Sequence, residues 1–283
     1  MLNRQKALLQ LLRIAGGRME TPQLTKMSFL MRNETESRGG ASFYDFVPRE
    51  TGPYSFGLQQ EAEKLVASGH LKKEGEAAWA LGDNQVPKIS DRDIEMDIMK
   101  IFSRYGQLSV DRLGNYISRE YAHYCSLRDN SDTADPPTDL AVYTAGYEGK
   151  SIDAFLDGLL RSGIEHLIDV RMNPIARRYG FHRSTLSRLS SGLGIQYSHV
   201  PQLGIASQLR RNLESTADYE QLFEQYESTT LQSEGEAIDS VSRWIREKPS
   251  VLICMEADPV CCHRTRLANS VSQITKLPII HLR

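Results

Sequence analysis

The sequence predicts an α/β protein: a Rossmann-like three-layer domain with a parallel sheet, preceded by an α-rich winged-helix domain. Three observations predict it. Over residues 1–128 the apolar pattern has helical spacing around one short hairpin. After residue 140, short β-type runs alternate with helical segments, which implies parallel pairing and a sheet covered on both faces. Between them runs "DNSDTADPPTD" (129–139), acidic, small and doubly prolyl, with nothing that can pack. The expected organisation is a winged-helix domain over 1–128, a linker over 129–139 and a Rossmann-like catalytic domain over 140–283.

In the first domain, Leu8, Leu9, Leu11, Leu12 and Ile14 share one helical face. Thr21 is the expected N-cap of a second helix, with Pro22 at its first position. In "GPYSFGLQQEAEKLVASG", Ser55 caps, Leu58, Ala62, Leu65 and Val66 form the stripe, and Gly69 ends the helix. "HLKKEGEAAWAL" reads as two strands turning at Glu74-Gly75. Residues 91–123 add two helices. Helices followed by a small hairpin make a winged-helix arrangement, which can grip DNA or dock a protein. The helix before the wing carries Glu61 and Glu63 against one Lys64, so neither partner is favoured.

In the second domain, strands are expected at 140–147, 166–171, 196–201, 250–256 and 277–282. Helices are expected at 151–163 behind the cap Ser151, around 218–231, at 236–247, and through "RTRLANSVSQI".

Bulk properties narrow the class. The 283 residues make room for two ordinary domains, and 40% apolar with 25% charged residues supports packed cores. A net charge of −2, with no basic excess in either half, confines any nucleic-acid surface to a local patch. Met1–Gly16 lacks the unbroken apolar core of a signal peptide. No apolar run approaches the roughly 20 residues of a membrane span. Four cysteines, three of them at Cys254, Cys261 and Cys262, do not resemble a secreted disulfide frame, so a cytoplasmic protein without membrane partners is expected.

The chemistry gathers at strand ends, where open parallel sheets bind ligands. Tyr147 and Glu148 follow the first strand; Asp169, Arg171 and Asn173 close the second; Glu256, Cys262, His263 and Arg264 follow the fourth. These segments resemble the domain of unknown function 488 family. The resemblance rests on Gly146–Gly149 (a Gly-Tyr-Glu-Gly turn), Asp169–Arg171, and the set Cys254, Glu256, Pro259, Cys262, His263, Arg264. It covers most of 140–283 and implies a domain but little chemistry. "YDFVPRETGPYS" (44–55) resembles winged-helix modules attached to bacterial defence and regulatory proteins.

Three chemistries suit these residues. Glu256 and Asp169 at neighbouring strand ends can divide nucleophile or general-base work from orientation. Arg171 and Arg264 can hold phosphate, Tyr147 can stack on a base, and Glu148 and Asn173 complete a substrate site. Cys262, near a helix start beside His263, is expected to have a lowered pKa suited to thiol chemistry, while Cys254 reads as a core thiol. Cys254, Cys262 and His263 can also supply three zinc ligands. The spacing matches no C-x-x-C pair, so no metal or other cofactor is assigned and zinc below one equivalent is expected; zinc or another divalent ion stays open. The segment "RRYGFHRSTLSR" interleaves Arg177, Arg178, His182, Arg183 and Arg188 with Tyr179 and Phe181, and is expected to be a loop that holds a nucleic-acid strand.

The expected function is an enzyme acting on DNA. The preferred reaction is N-glycosidic removal of a flipped or modified base, in repair or phage defence. The alternatives are a nuclease, a nucleotide- or base-sensing winged-helix regulator, and cysteine-dependent sulfur or acyl transfer.

Overall fold

The computed structural model describes residues 1–75, 77–126, 139–210, 213 and 215–282. Apart from Asp139, the expected linker lies outside the described residues. The chain divides into two compact units, 1–130 and 131–283.

The first unit runs α1 (Asn3–Ile14), β1 (Arg18–Glu20), α2 (Thr21–Glu34), α3 (Phe56–Ala67), β2 (Leu71–Glu74), β3 (Ala78–Leu81), α4 (Arg92–Tyr105) and α5 (Val110–Glu120). Its antiparallel sheet has the order β1-β3-β2. Leu8, Leu12, Phe29, Leu58 and Trp79 meet in one core. Ser55 caps α3 as expected, its Oγ accepting from the Leu58 N–H at 3.1 Å. Gly75 turns the hairpin at φ 64°. Two details differ from the sequence reading. Strand β1 was not expected, because three residues with one buried side chain give no usable pattern. Thr21 is inside α2, and Glu20 takes the N-cap position. The Thr21 N–H is already used, donating to the Ala77 carbonyl at 2.8 Å.

The second unit runs β4 (Val142–Gly146), α6 (Ile152–Arg161), β5 (His166–Asp169), α7 (Arg183–Ser191), β6 (Gln196–His199), α8 (Thr216–Ser228), α9 (Thr230–Ser233), α10 (Gly235–Glu247), β7 (Ser250–Cys254), α11 (His263–Thr275) and β8 (Ile279–Leu282). All five expected strands form, each shorter than drawn from sequence. They pair in parallel in the order β6-β5-β7-β4-β8. Helices flank the sheet, giving an α/β unit with Rossmann-like layering. In the doubly wound order of dinucleotide-binding folds the first strand neighbours the second. Here β7 is inserted between β4 and β5.

That order sets the site. From β4 the chain crosses through α6 toward β5; from β7 it crosses through α11 toward β8, the opposite direction. Right-handed crossovers in opposite directions put the two helices on opposite faces. Leu267, Ala268 and Val271 of α11 accordingly pack with Val142, Ile168 and Leu252. On the other face Phe155 of α6 lies edge-on to Phe181, ring centroids 5.5 Å apart. The adjacent carboxyl ends of β4 and β7 form a topological switch point, the usual ligand crevice of open α/β sheets.

Candidate active site

The loops after β4 and β7 are stitched together. The N–H groups of Tyr147 and Glu148 both donate to the Met255 carbonyl, at 3.1 and 2.9 Å. Glu148 Oε2 accepts from the Ala257 N–H at 3.0 Å. A Cβ at Gly146 would stand 1.9 Å from the Glu256 carbonyl oxygen, so only glycine allows the approach. Arg264, 1% exposed, donates to the carbonyls of Glu256 at 2.5 Å and Ala257 at 3.2 Å. Glu148 and Arg264, expected to bind substrate, therefore hold the loop that carries Glu256. The Arg264 Nε has no partner among the described residues. Lys150 lies close enough that its ammonium is pushed to lower pKa, by burial first and by Arg264 second.

Glu256 is the hub. Its Oε1 accepts from Arg210 Nη1 at 3.2 Å. Its Oε2 lies 2.9 Å from Cys254 Sγ and 3.1 Å from Cys262 Sγ. Burial, then the neighbouring Cys254, pushes the carboxyl above its ordinary range. Cys254 is the last residue of β7, Cys262 caps α11, and His263 begins it. Cys254 Sγ lies 3.8 Å from His263 Nδ1. The ring's other nitrogen, Nε2, lies 3.3 Å from the Val170 carbonyl, and Tyr226 stands edge-on to the ring at 5.5 Å. The ligand atoms of Cys254, Cys262 and His263 all fall within 4.8 Å of one another.

The charge in this cluster differs from the sequence reading. The hydrogen bond from Cys262 and the nearby His263 draw Cys254 toward the thiolate. Burial and the Cys254 charge keep the proton on Cys262. Burial opposes a charged His263, but Cys254 outweighs it and raises the imidazole. The expected thiolate thus falls on Cys254, which sequence alone reads as a core thiol.

Asp169 and Arg171 form a separate cluster. Side chains alternate along a strand, so Asp169 shares the face of Leu167 whereas Cys254 shares that of Leu252. The Asp169 carboxylate accepts from the Arg171 N–H, Nε and Nη2 and from the Tyr197 hydroxyl. Burial opposes charge on Arg171, and Asp169 more than restores it. Tyr147 is also committed. Its hydroxyl accepts from Arg171 Nη1 at 2.9 Å, and Phe181 stacks on its ring at 4.2 Å and 12°. Asp169, expected to share catalytic work with Glu256, is instead bound to Arg171 and Tyr197, and Tyr147, expected to stack on a base, is buried against Phe181.

The basic segment divides in two. Arg177 and Arg178 are exposed in a turn, beside exposed Asn173 on the preceding bend. Phe181, expected among the strand-holding aromatics, is fully buried. The rest is the helix α7, not a loop, because Leu186 and Leu189 bury one face. His182, Arg183 and Arg188 line a pocket of about 490 Å³ with Ser184, Ser187, Tyr197 and His199, and no carboxylate. Helix α7 follows β5, so its first turn stands at the sheet's carboxyl edge. Sequence reasoning missed Tyr197, His199, Arg210 and Lys150. The first two alternate along β6 and face α7, a signal visible only once the strand's neighbour is known.

The family model described as domain of unknown function DUF488 matches residues 151–271. The second unit therefore carries a DUF488 domain over those residues. Within the DUF488 match fall α6 to β7 and the first nine residues of α11, including Asp169, Arg171, Glu256, Cys262 and His263; the Gly146–Gly149 turn precedes it. No curated protein and no solved structure matches the chain. No described helix is long and apolar enough to cross a membrane.

Proposed function

We propose that this DUF488 protein is a hydrolase acting on DNA, with removal of a flipped or modified base at its N-glycosidic bond as the preferred reaction. The observation that carries the reading is the position of Glu256. It is a partly open carboxylate at the switch point between β4 and β7, oriented through one oxygen by Arg210 and set with the other beside the sulfurs of Cys254 and Cys262. Such a group can take a proton from an attacking water or stabilise an oxocarbenium ion as the base departs. Two features suit a nucleic-acid substrate. The pocket between α7 and β6 offers Arg183, Arg188 and two histidines to phosphates. Exposed Met172, Ile175, Met255 and Val260 border the neighbouring ends of β5 and β7 and offer apolar contact to an unstacked base.

The first unit supports a winged-helix reading through its helix–strand–helix–helix–hairpin order and three-stranded antiparallel sheet. Its wing is not an obvious DNA grip: Lys72 pairs with Asp83, and Arg18 with Glu74. Protein docking fits it as well as DNA. A second reaction, phosphodiester hydrolysis, is favoured by one observation, the thiol–imidazole cluster beside Glu256, because that chemistry draws on a divalent metal.

The test is incubation of the full chain with plain and base-modified DNA, with products read by mass spectrometry. Release of free base supports the preferred reading. Strand breaks without base release support the nuclease. Unchanged DNA across single- and double-stranded substrates would remove both.

A further inference from the structure

Glu256 alone could serve the proposed hydrolysis, yet three further ligand-type side chains crowd around it. We infer that Cys254 Sγ, Cys262 Sγ and His263 Nδ1 form a zinc site, with Glu256 facing the fourth position as base for a metal-bound water. The three-ligand site stands independently of the nucleic-acid reading; the role of Glu256 rests on it.

Geometry comes first. With Zn–S near 2.3 Å and Zn–N near 2.0 Å, a tetrahedral ion holds sulfur and nitrogen ~3.5 Å apart and two sulfurs ~3.8 Å apart. Cys254 Sγ and His263 Nδ1 are 3.8 Å apart, and the whole set lies within 4.8 Å. Side-chain shifts that close the widest pair by at most about 1.3 Å reach the tetrahedron. The supports are already built. β7 ends on Cys254, and α11 begins on His263 directly after Cys262, so rigid elements carry all three. His263 Nε2 faces the Val170 carbonyl at 3.3 Å. A proton held on Nε2 leaves the Nδ1 lone pair pointing at the thiols, which is the outer-shell arrangement of metal-binding histidines.

Burial argues the same way. Cys254, Cys262 and His263 are 0%, 1% and 2% exposed. Two buried sulfurs and an imidazole beside a carboxylate offer soft and borderline donors shielded from bulk water, the environment in which a bound zinc ion is held. Arg210 reaches only the far oxygen of Glu256. Thiolates with imidazole select zinc over calcium or magnesium, which require oxygen ligands. Of the four side chains only Glu256 reaches solvent, at 18% exposure, so water enters on its side. Zinc lowers the pKa of a bound water to about 7, and the proton can then pass to Glu256.

The test uses the full chain purified without added metal. Elemental analysis should give about one zinc per chain, against the lower content expected from the cysteine spacing alone. After chelation and cobalt(II) titration, a thiolate-to-cobalt band and the visible bands of a tetrahedral ion should appear. Cys254→Ser and His263→Ala should lose both metals. Cys125→Ser, in the other unit, should keep them, and Glu256→Gln should keep zinc. If Cys254→Ser does not fold, the wild-type cobalt spectrum decides. Folded wild-type protein that holds under a tenth of an equivalent of zinc, and shows no cobalt bands after reduction, overturns the site. So does metal lost in Cys125→Ser. Zinc-loaded protein that leaves all DNA intact would contradict the proposed function and leave the metal site standing.

Discussion

Asp169 and Arg171, two positions apart, close on each other in a buried two-pronged ion pair, Nη2 to Oδ2 at 2.6 Å and Nε to Oδ1 at 2.8 Å. Arg171 also donates to the Tyr147 hydroxyl and the Phe181 carbonyl, both at 2.9 Å. One guanidinium therefore ties the ends of β4 and β5 to the entry of α7. The Asp-Val-Arg motif is a clasp beneath the site.

Breaking that clasp should cost stability before it costs chemistry. Asp169→Asn leaves a buried guanidinium without its counter-charge, a loss of about 3 kcal/mol or more. For a unit of this size that corresponds to a fall in Tm of roughly 6–12 °C. Calorimetry would measure it. A melt within 2 °C of wild type, by comparison, would mean the pair contributes little.

Two glycines should respond with opposite signs. Gly146→Ala sets a methyl group 1.9 Å from the Glu256 carbonyl oxygen. The strain should cost about 1–3 kcal/mol and displace Glu256, lowering activity further. Gly158 lies inside α6 with nothing within 4 Å of an added Cβ. Gly158→Ala should stabilise by up to about 1 kcal/mol. Urea unfolding of both variants checks the pair.

The pocket beside α7 should carry the salt dependence of DNA binding. Arg183→Ala combined with Arg188→Ala should weaken binding and flatten the log–log salt slope by roughly one unit per lost phosphate contact. Unchanged affinity and slope would identify the pocket as a solvated helix face and favour a regulator that binds something else.

Acid should weaken the second unit through His166. Burial, then the charge of Lys248, lowers its pKa from 6.5 to about 4. Its Nε2 meets Ser198 Oγ at 2.9 Å, and Nδ1 has no partner among the described residues. The folded state keeps the ring neutral, while the unfolded chain takes up a proton below about pH 6.5. Stability should therefore be fully present above pH 6.5 and decline toward pH 4. In His166→Gln the slope of unfolding free energy against pH should be shallower by close to one proton across that window.

Much of the framework is legible from period and punctuation. Ser55 and Ser151 both cap helices, and the apolar runs 142–146 and 250–254 are strands. Strand order is not legible, and the site depends on it. Nothing local to 250–254 says that β7 enters between β4 and β5. Without that order, Asp169 and Glu256 look like partners across a crevice. With it, the two-residue alternation of strand side chains separates Asp169 from the Cys254 cluster. Helix α7 was hidden because basic residues fill its exposed face and only Leu186, Leu189 and Ser190 are buried. Cys254 was hidden for the opposite reason: in an apolar run, a ligand and a core thiol look alike.

The account centres on the Glu256 carboxylate, and Glu256→Gln tests it most directly. The exchange keeps size and hydrogen-bonding capacity and removes the anion. Single-turnover release of base from DNA should fall by at least about 100-fold, the equivalent of ~3 kcal/mol of lost transition-state stabilisation, while the thermal melt stays within a few degrees of wild type. Turnover at the wild-type rate in a folded Glu256→Gln protein would contradict the account.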